Sequence, residues 1–219
     1  MRIGVLGTGM VGAAIASKLV ETGNEVMMGS RVAGNDKAVN WVTKTGEGAR
    51  QGSFSDAAAF GEVVFNCTAG SASLDALSAA GPENLRDKIL IDLANPLDFS
   101  RGMPPTLTIC NDESLGERIQ DALPETHVVK TMNTINFNVM VNPDAVPGSH
   151  TLFVSGNNAD SKRRVADWLC EWFGWERENI FDLGDITTAR GTEMYVALWV
   201  RMWGQIGHAN FNIKVVRDA

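Results

Sequence analysis

The sequence predicts an α/β fold: a doubly wound, mostly parallel sheet with a small helical extension toward the C-terminal end. Three observations carry that reading. Short apolar runs alternate with helix-length segments. A glycine-rich turn joins the first run to the first helix. The last helix-length segment, unlike the others, is apolar on nearly every face.

Ile3 to Leu6 reads as the first strand and Met10 to Glu21 as the first helix. Glu25 to Met28 is a second strand, Asp36 to Lys44 a second helix, and Gly48 to Gln51 a weaker strand. Ser55 is a candidate N-cap for a helix through Ala57, Ala58 and Ala59. Val63 to Asn66 is continuously apolar up to its last residue, as a strand buried on both faces should be. Leu74 to Ala80 is helical and stops at Gly81-Pro82, and Ile89 to Asp92 is the next strand. Pro96 to Thr108 is rich in Pro and Gly, has no period and reads as a loop. Leu115 to Leu123 is a helix ended by Pro124, followed by strands at His127 to Met132 and Thr151 to Ser155. Asn157 or Asn158 caps a helix whose apolar face is Val165, Trp168, Leu169, Trp172 and Phe173. Ile180 to Leu183 closes the strand series.

The last helix runs from about Thr188 to Gly207. Glu193, Ala197, Arg201 and Gln205 form one narrow stripe, and large apolar residues cover the rest. Such a helix must be buried on most faces, and packing against a second copy of the chain would do it. The expected organisation is a nucleotide-binding domain over 1–183 and a helical region over 184–219 that contacts a homodimer partner.

With 44% hydrophobic and 21% charged residues, the 219-residue chain can build a packed core. Its net charge of −7 argues against nucleic acid or an anionic membrane as partner. Cys67, Cys110 and Cys170 are odd in number and widely spaced, so neither a disulfide framework nor a metal site is expected. No signal segment and no run approaching ~18 apolar residues is evident. A cytoplasmic location is the expectation.

Gly7-Thr8-Gly9-Met10-Val11-Gly12 fits G-x-G-x-x-G, directly after a strand and before a helix. Gly7 permits the tight turn, Gly9 lets the backbone approach a pyrophosphate, and Gly12 allows close helix–strand packing. This is the dinucleotide turn of a Rossmann-type domain, with the helix N-terminus facing the phosphates. An NAD enzyme usually offers an acid about 20 residues after this loop, for the ribose 2′-hydroxyl. Here Ser30 and Arg31 stand in that place. A hydroxyl and a guanidinium suit a 2′-phosphate, so the cofactor expected is NADP(H).

Ligands in such sheets lie beyond the carboxyl ends of the strands. Thr68, Ala69 and Gly70 would border the dinucleotide. Lys130 stands out in an apolar strand, either as a proton donor or anion contact near the substrate, or as a lysine reaching out to water. The three histidines suggest neither a metal site nor a triad, and Cys67 reads as a buried small hydrophobe. No general acid/base set stands out. Hydride transfer between two redox rings has little need of one, because it depends on holding the rings face to face.

Several segments carry a wider resemblance: Gly7-Thr8-Gly9, Gly29-Ser30-Arg31, Ser100-Arg101-Gly102, and Val128-Val129-Lys130-Thr131 leading to Asn133-Thr134-Ile135. Val154 to Lys162, Asp182-Leu183-Gly184 and Asn212-Ile213-Lys214 extend it over nearly the whole chain. With these the sequence resembles the NADPH-dependent coenzyme F420 reductase family, the F420-dependent NADP oxidoreductases. The resemblance implies a dimer that lays the deazaflavin of F420 against NADP. It implies that Thr8, Met10 and Val11 touch the pyrophosphate and that Ser30 and Arg31 hold the 2′-phosphate. Thr68 and Ala69, with Thr134, Ile135 and Asn136, would border the nicotinamide. Lys130 and the Asn-Thr-Ile run are also similar to the reductase domain of the STEAP metalloreductases, which pass hydride to a flavin. The leading expectation is hydride transfer between NADPH and F420 or a flavin. The alternatives are reduction of a small imine or carbonyl with Lys130 as acid, and a non-catalytic NADPH sensor.

Overall fold

The computed structural model describes residues 1–218. The chain begins with β1 (Arg2–Leu6), α1 (Met10–Glu21), β2 (Glu25–Ser30), α2 (Asp36–Thr45) and β3 (Ala49–Ser53). It continues with α3 (Phe54–Phe60), β4 (Val63–Asn66), α4 (Ser73–Ala80), α5 (Pro82–Leu85) and β5 (Ile89–Asp92). A small hairpin follows, β6 (Leu97–Asp98) and β7 (Thr106–Leu107), and then α6 (Leu115–Ala122) and β8 (His127–Thr131). The remainder is α7 (Phe137–Val141), β9 (Leu152–Ser155), α8 (Ala159–Phe173), β10 (Ile180–Gly184) and α9 (Ala189–Ile206).

Eight strands form one sheet in the order β3-β2-β1-β4-β5-β8-β9-β10. Neighbours are parallel except β8 and β9, which run antiparallel. The apolar strands owe their continuity to this arrangement. Ile3, Val5, Val63, Phe65, Ile89 and Ile91 face one way, into a core with α1, α2, α7 and α8. Leu6, Val64, Leu90 and Val128 face the other way, onto α3, α4, α5 and α6. A strand alternates faces at every residue, so a sheet covered on both sides needs apolar residues in succession.

Three local expectations are corrected. The cap of α3 is Ser53, two residues before Ser55. Its hydroxyl accepts from Asp56 N, and the Asp56 carboxylate accepts from Ser53 N, a capping box. The segment Pro96 to Thr108 is not plain loop but carries the β6–β7 hairpin. The strand expected to reach Met132 stops at Thr131, because Met132 turns left-handed with φ of 59°.

On α9, Glu193, in line by spacing with Ala197, Arg201 and Gln205, points inward and is buried, beside Thr192, Val196 and Val200. The outer face keeps Met194, Leu198, Trp203 and Ile206 between 39% and 55% exposed. Within one chain these four side chains remain open. Beyond α9 the chain turns at Gly207 and comes back. Phe211 stacks on Trp199 with ring centres 5.1 Å apart. The Ile213 carbonyl accepts from Thr151 N at 2.8 Å, and Asn212 Nδ2 donates to the Thr151 carbonyl at 3.0 Å.

Candidate functional site

The order of strands reverses between β1 and β4: β2 and β3 extend to one side, β5 and β8 to the other. At such a switch point the loops leaving the carboxyl ends diverge and open a crevice. A cleft of about 660 Å³ lies there. It gathers Gly7, Thr8 and Gly9 after β1, Ser30 and Arg31 after β2, and Thr68 and Ala69 after β4. Seven of the residues singled out from sequence thus meet in one place, and Asn35, Lys37 and Asp75 join them.

The glycine turn has the geometry of a phosphate cradle. Gly7 has a φ of 118°, which an L side chain would strain. A Cβ on Gly12 would come within 2.2 Å of the Gly7 carbonyl oxygen, so helix and turn touch there. A Cβ on Gly9 would meet nothing within 4 Å. The chain is bare where it faces the open cleft. Gly9 is the N-cap of α1 and offers no side-chain cap, and the first turn holds no acid. Its first amides are left for water or an anion.

The β2 end is cationic. Arg31 and Lys37 are exposed, and among the described residues neither forms an ion pair. In a chain of net charge −7, these two cations make that cleft wall locally positive. Asn35 fixes the approach by accepting from Lys37 N and Ala38 N at the start of α2. Gln51 Oε1 accepts from Gly34 N at 2.7 Å and holds the intervening loop. Ser30 is buried, and its hydroxyl donates to the Val32 carbonyl at 2.6 Å.

The remaining sequence-selected residues lie elsewhere. Met10 begins α1 and is 73% exposed beside Gly9, while Gly12 is buried and Val11 packs against the core. Thr134 and Ile135 are buried beyond β8, and Asn136 caps α7 by accepting from Asn138 N. They follow the next carboxyl edge rather than the wall of this cleft. Asn95 and Asn133 lock that edge to the sheet: Asn95 Nδ2 donates to the Asn133 carbonyl at 2.8 Å, and Asn133 Nδ2 donates to Asn95 Oδ1 at 2.9 Å.

Lys130 does not reach water. It is 1% exposed, with Asp92 Oδ2 and the Ala94 carbonyl each 2.6 Å from Nζ and Glu193 Oε1 at 2.8 Å. Three acceptors match its three N–H donors. Burial pulls the ammonium pKa down, but the charges of Asp92 and Glu193 and their hydrogen bonds outweigh it and hold it above the usual lysine range. Glu193 also accepts from Leu115 N at 2.7 Å and Gly116 N at 3.0 Å, so the N-terminus of α6 offsets the second carboxylate. Cys67, at the cleft floor, has its thiol pKa pushed up by burial and by the charge of Asp92, which makes it inert.

Comparison with known proteins places the chain in a family. The pattern of the family described as NADP oxidoreductase, coenzyme F420-dependent, matches residues 2–96. A crystal structure from Arthrobacter sp. FB24, assigned as an F420-dependent NADP reductase, is 48% identical over 99% of this chain and 100% of its own, with a TM-score of 0.92. The chain belongs to this family. It is an NADP-dependent oxidoreductase. A reductive aminase from Aspergillus terreus, solved with NADPH and ethyl levulinate, is 18% identical over 94% of this chain and 62% of its own, with a TM-score of 0.65. An imine reductase from Myxococcus stipitatus, solved with NADP+, is 15% identical over 94% and 63%, with a TM-score of 0.64. These two share the fold. No curated protein matches the chain.

Proposed function

We propose that NADP(H) lies in the cleft at the β1–β4 switch point and that the enzyme passes hydride between it and the deazaflavin of coenzyme F420 or a flavin. The observation that carries the reading is the pair of unpaired cations, Arg31 and Lys37, at the β2 end where an acid would select NAD. The bare Cα of Gly9 and the uncapped start of α1 fit a pyrophosphate beside them.

In this reading the amides of Thr8, Gly9, Met10 and Val11 hold the pyrophosphate, with Gly7 shaping the turn and Gly12 seating the helix. Arg31 and Lys37 hold the 2′-phosphate, and Ser30 joins them by turning its hydroxyl away from Val32. Thr68 and Ala69 lead toward the nicotinamide end, with Thr134, Ile135 and Asn136 on the acceptor side. The nicotinamide supplies or takes the hydride when bound. The chain's own task is to appose two rings and keep water out. Lys130 has no free N–H to give an imine or carbonyl substrate, so the geometry favours an acceptor that needs no acid.

A second copy covering Met194, Leu198, Trp203 and Ile206 would make the dimer through α9. The unpaired thiols suit the cytoplasm. No helix among the described residues is long and apolar enough to cross a membrane.

The test is an absorbance time course with NADPH and oxidised F420, then FMN and FAD, with NADH as control. Bleaching of the acceptor with NADPH and little with NADH is the expected result. Failure with all three acceptors would remove the hydride-acceptor assignment.

A further inference from the structure

One row of side chains crosses three strands at their last rungs. Asn66 on β4 stands opposite Asp92 on β5, and Asp92 stands opposite Lys130 on β8. The row continues to Glu193 on α9, and all four are no more than 1% exposed. It also reaches the cleft. Thr68 Oγ1 donates to Asn66 Oδ1 at 2.7 Å, and Thr68 N lies 3.3 Å from the same oxygen. Asn66 Nδ2 donates to Asp92 Oδ1 at 2.8 Å and to Ser73 Oγ at 3.2 Å. Thr68 is a wall of the cleft.

An amide side chain offers an acceptor at one end and a donor at the other. Asp92 accepts only, so it dictates which end of Asn66 faces it and which end faces Thr68. Because Asn66 turns its oxygen toward Thr68, the Thr68 hydroxyl spends its proton inward. Its lone pairs are left for the cleft and for Ser73 Oγ, 2.8 Å away. Were Asn66 to turn over, Thr68 would face an amide N–H and present a donor to the cleft instead.

We propose that Asp92 is a positioning residue for the cofactor: acting through Asn66, it sets the polarity of Thr68 so that the wall accepts a hydrogen bond from an N–H or O–H group of NADP(H). Lys130 and Glu193 hold Asp92 in place. The inference rests on the location of NADP(H) in this cleft. The chemistry it selects is a donor on the ligand, an amide or a ribose hydroxyl, and it takes no part in the hydride step.

The test is a double-mutant cycle on NADPH affinity, read by fluorescence titration on protein whose fold is checked by circular dichroism. Asp92→Asn frees Asn66 to turn, and Thr68→Val removes the hydroxyl. Each should weaken NADPH about fivefold to tenfold, the worth of one hydrogen bond. Together they should be no worse than either alone, because both remove the same contact. With Thr68→Ser the hydroxyl is kept, and sensitivity to Asp92→Asn should return. Asn66→Ala, which cuts the link between Asp92 and Thr68, replaces Asp92→Asn in the cycle if that variant does not fold. Arg31→Ala is the control for the cleft itself. If Arg31→Ala weakens NADPH binding but Thr68→Val does not, or the two losses in the cycle multiply, the cleft stands and the relay is overturned. If neither Arg31→Ala nor Thr68→Val changes the affinity, the cofactor lies elsewhere and the proposal falls with the cleft.

Discussion

Replacing Lys130 by Met removes the one cation from a buried group of three charges. The side chain keeps its length, so packing is little changed. What is lost is the partner of Asp92 and Glu193, each within 2.8 Å of the same nitrogen and neither more than 1% exposed. Two unit charges about 5 Å apart repel by about 3 kcal/mol at an effective dielectric of 20. Breaking a buried pair by deleting one partner costs about 3–5 kcal/mol in general, which agrees. For a domain of this size each kcal/mol shifts the melting temperature by about 2–4 °C, so the midpoint should fall by roughly 6–20 °C. The sign with pH follows. In the wild type the raised Lys130 value gives stability that is present below pH 10.5 and lost only above it. Differential scanning calorimetry across that range, with NADPH titrations beside it, measures both. An unchanged melting temperature together with abolished turnover would refute the reasoning and restore Lys130 as an acid.

Arg31→Ala should weaken NADPH by roughly tenfold or more, the scale of a charge-assisted hydrogen bond, and leave NADH untouched; parallel titrations of the two nucleotides decide it. Leu198→Glu puts a charge on the exposed face of α9 and should convert a dimer to monomers in light scattering, with the melting curve of the monomer nearly unchanged. The Glu117 carboxyl is held below its usual value of 4.5, first by the hydrogen bonds from Arg190. A lowered value gives stability that is present above pH 4.5 and lost as pH falls below it. Thermal midpoints taken between about pH 6 and pH 3.5 should therefore fall less steeply in Arg190→Leu than in the wild type.

The alternation of apolar runs made the sheet legible, because strands buried on both faces leave no room for polar residues. The glycine turn and Ser30-Arg31 were legible for a different reason: each is a local motif whose parts stay adjacent when the chain folds. Lys37 was not, since an exposed lysine in the first turn of a helix looks like any solvated charge until α2 is seen to start beside β2. Glu193 was missed because spacing put it in line with Arg201 and Gln205, while its true partner is 63 residues away in β8. A signal did exist, as a lysine inside an apolar strand requires a buried carboxylate somewhere. The reversal at β9 left no trace, because an apolar run has no direction. The two-residue strands β6 and β7 are shorter than any period.

The return of the chain from α9 makes a closed loop with two feet, one at Glu193 beside Lys130 on β8 and the other at Ile213 on Thr151, just before β9. Such a loop is constrained where it stands and free where it turns. Its closure entropy grows only with the logarithm of its flexible length, so adding three residues to the six of 207–212, at the exposed turn around Gly207 and His208, costs about 0.4 kcal/mol. Length at that tip is close to neutral for the fold, and variation there among relatives would change what the loop can reach while the feet, and the row of charges beneath one of them, stay where they are.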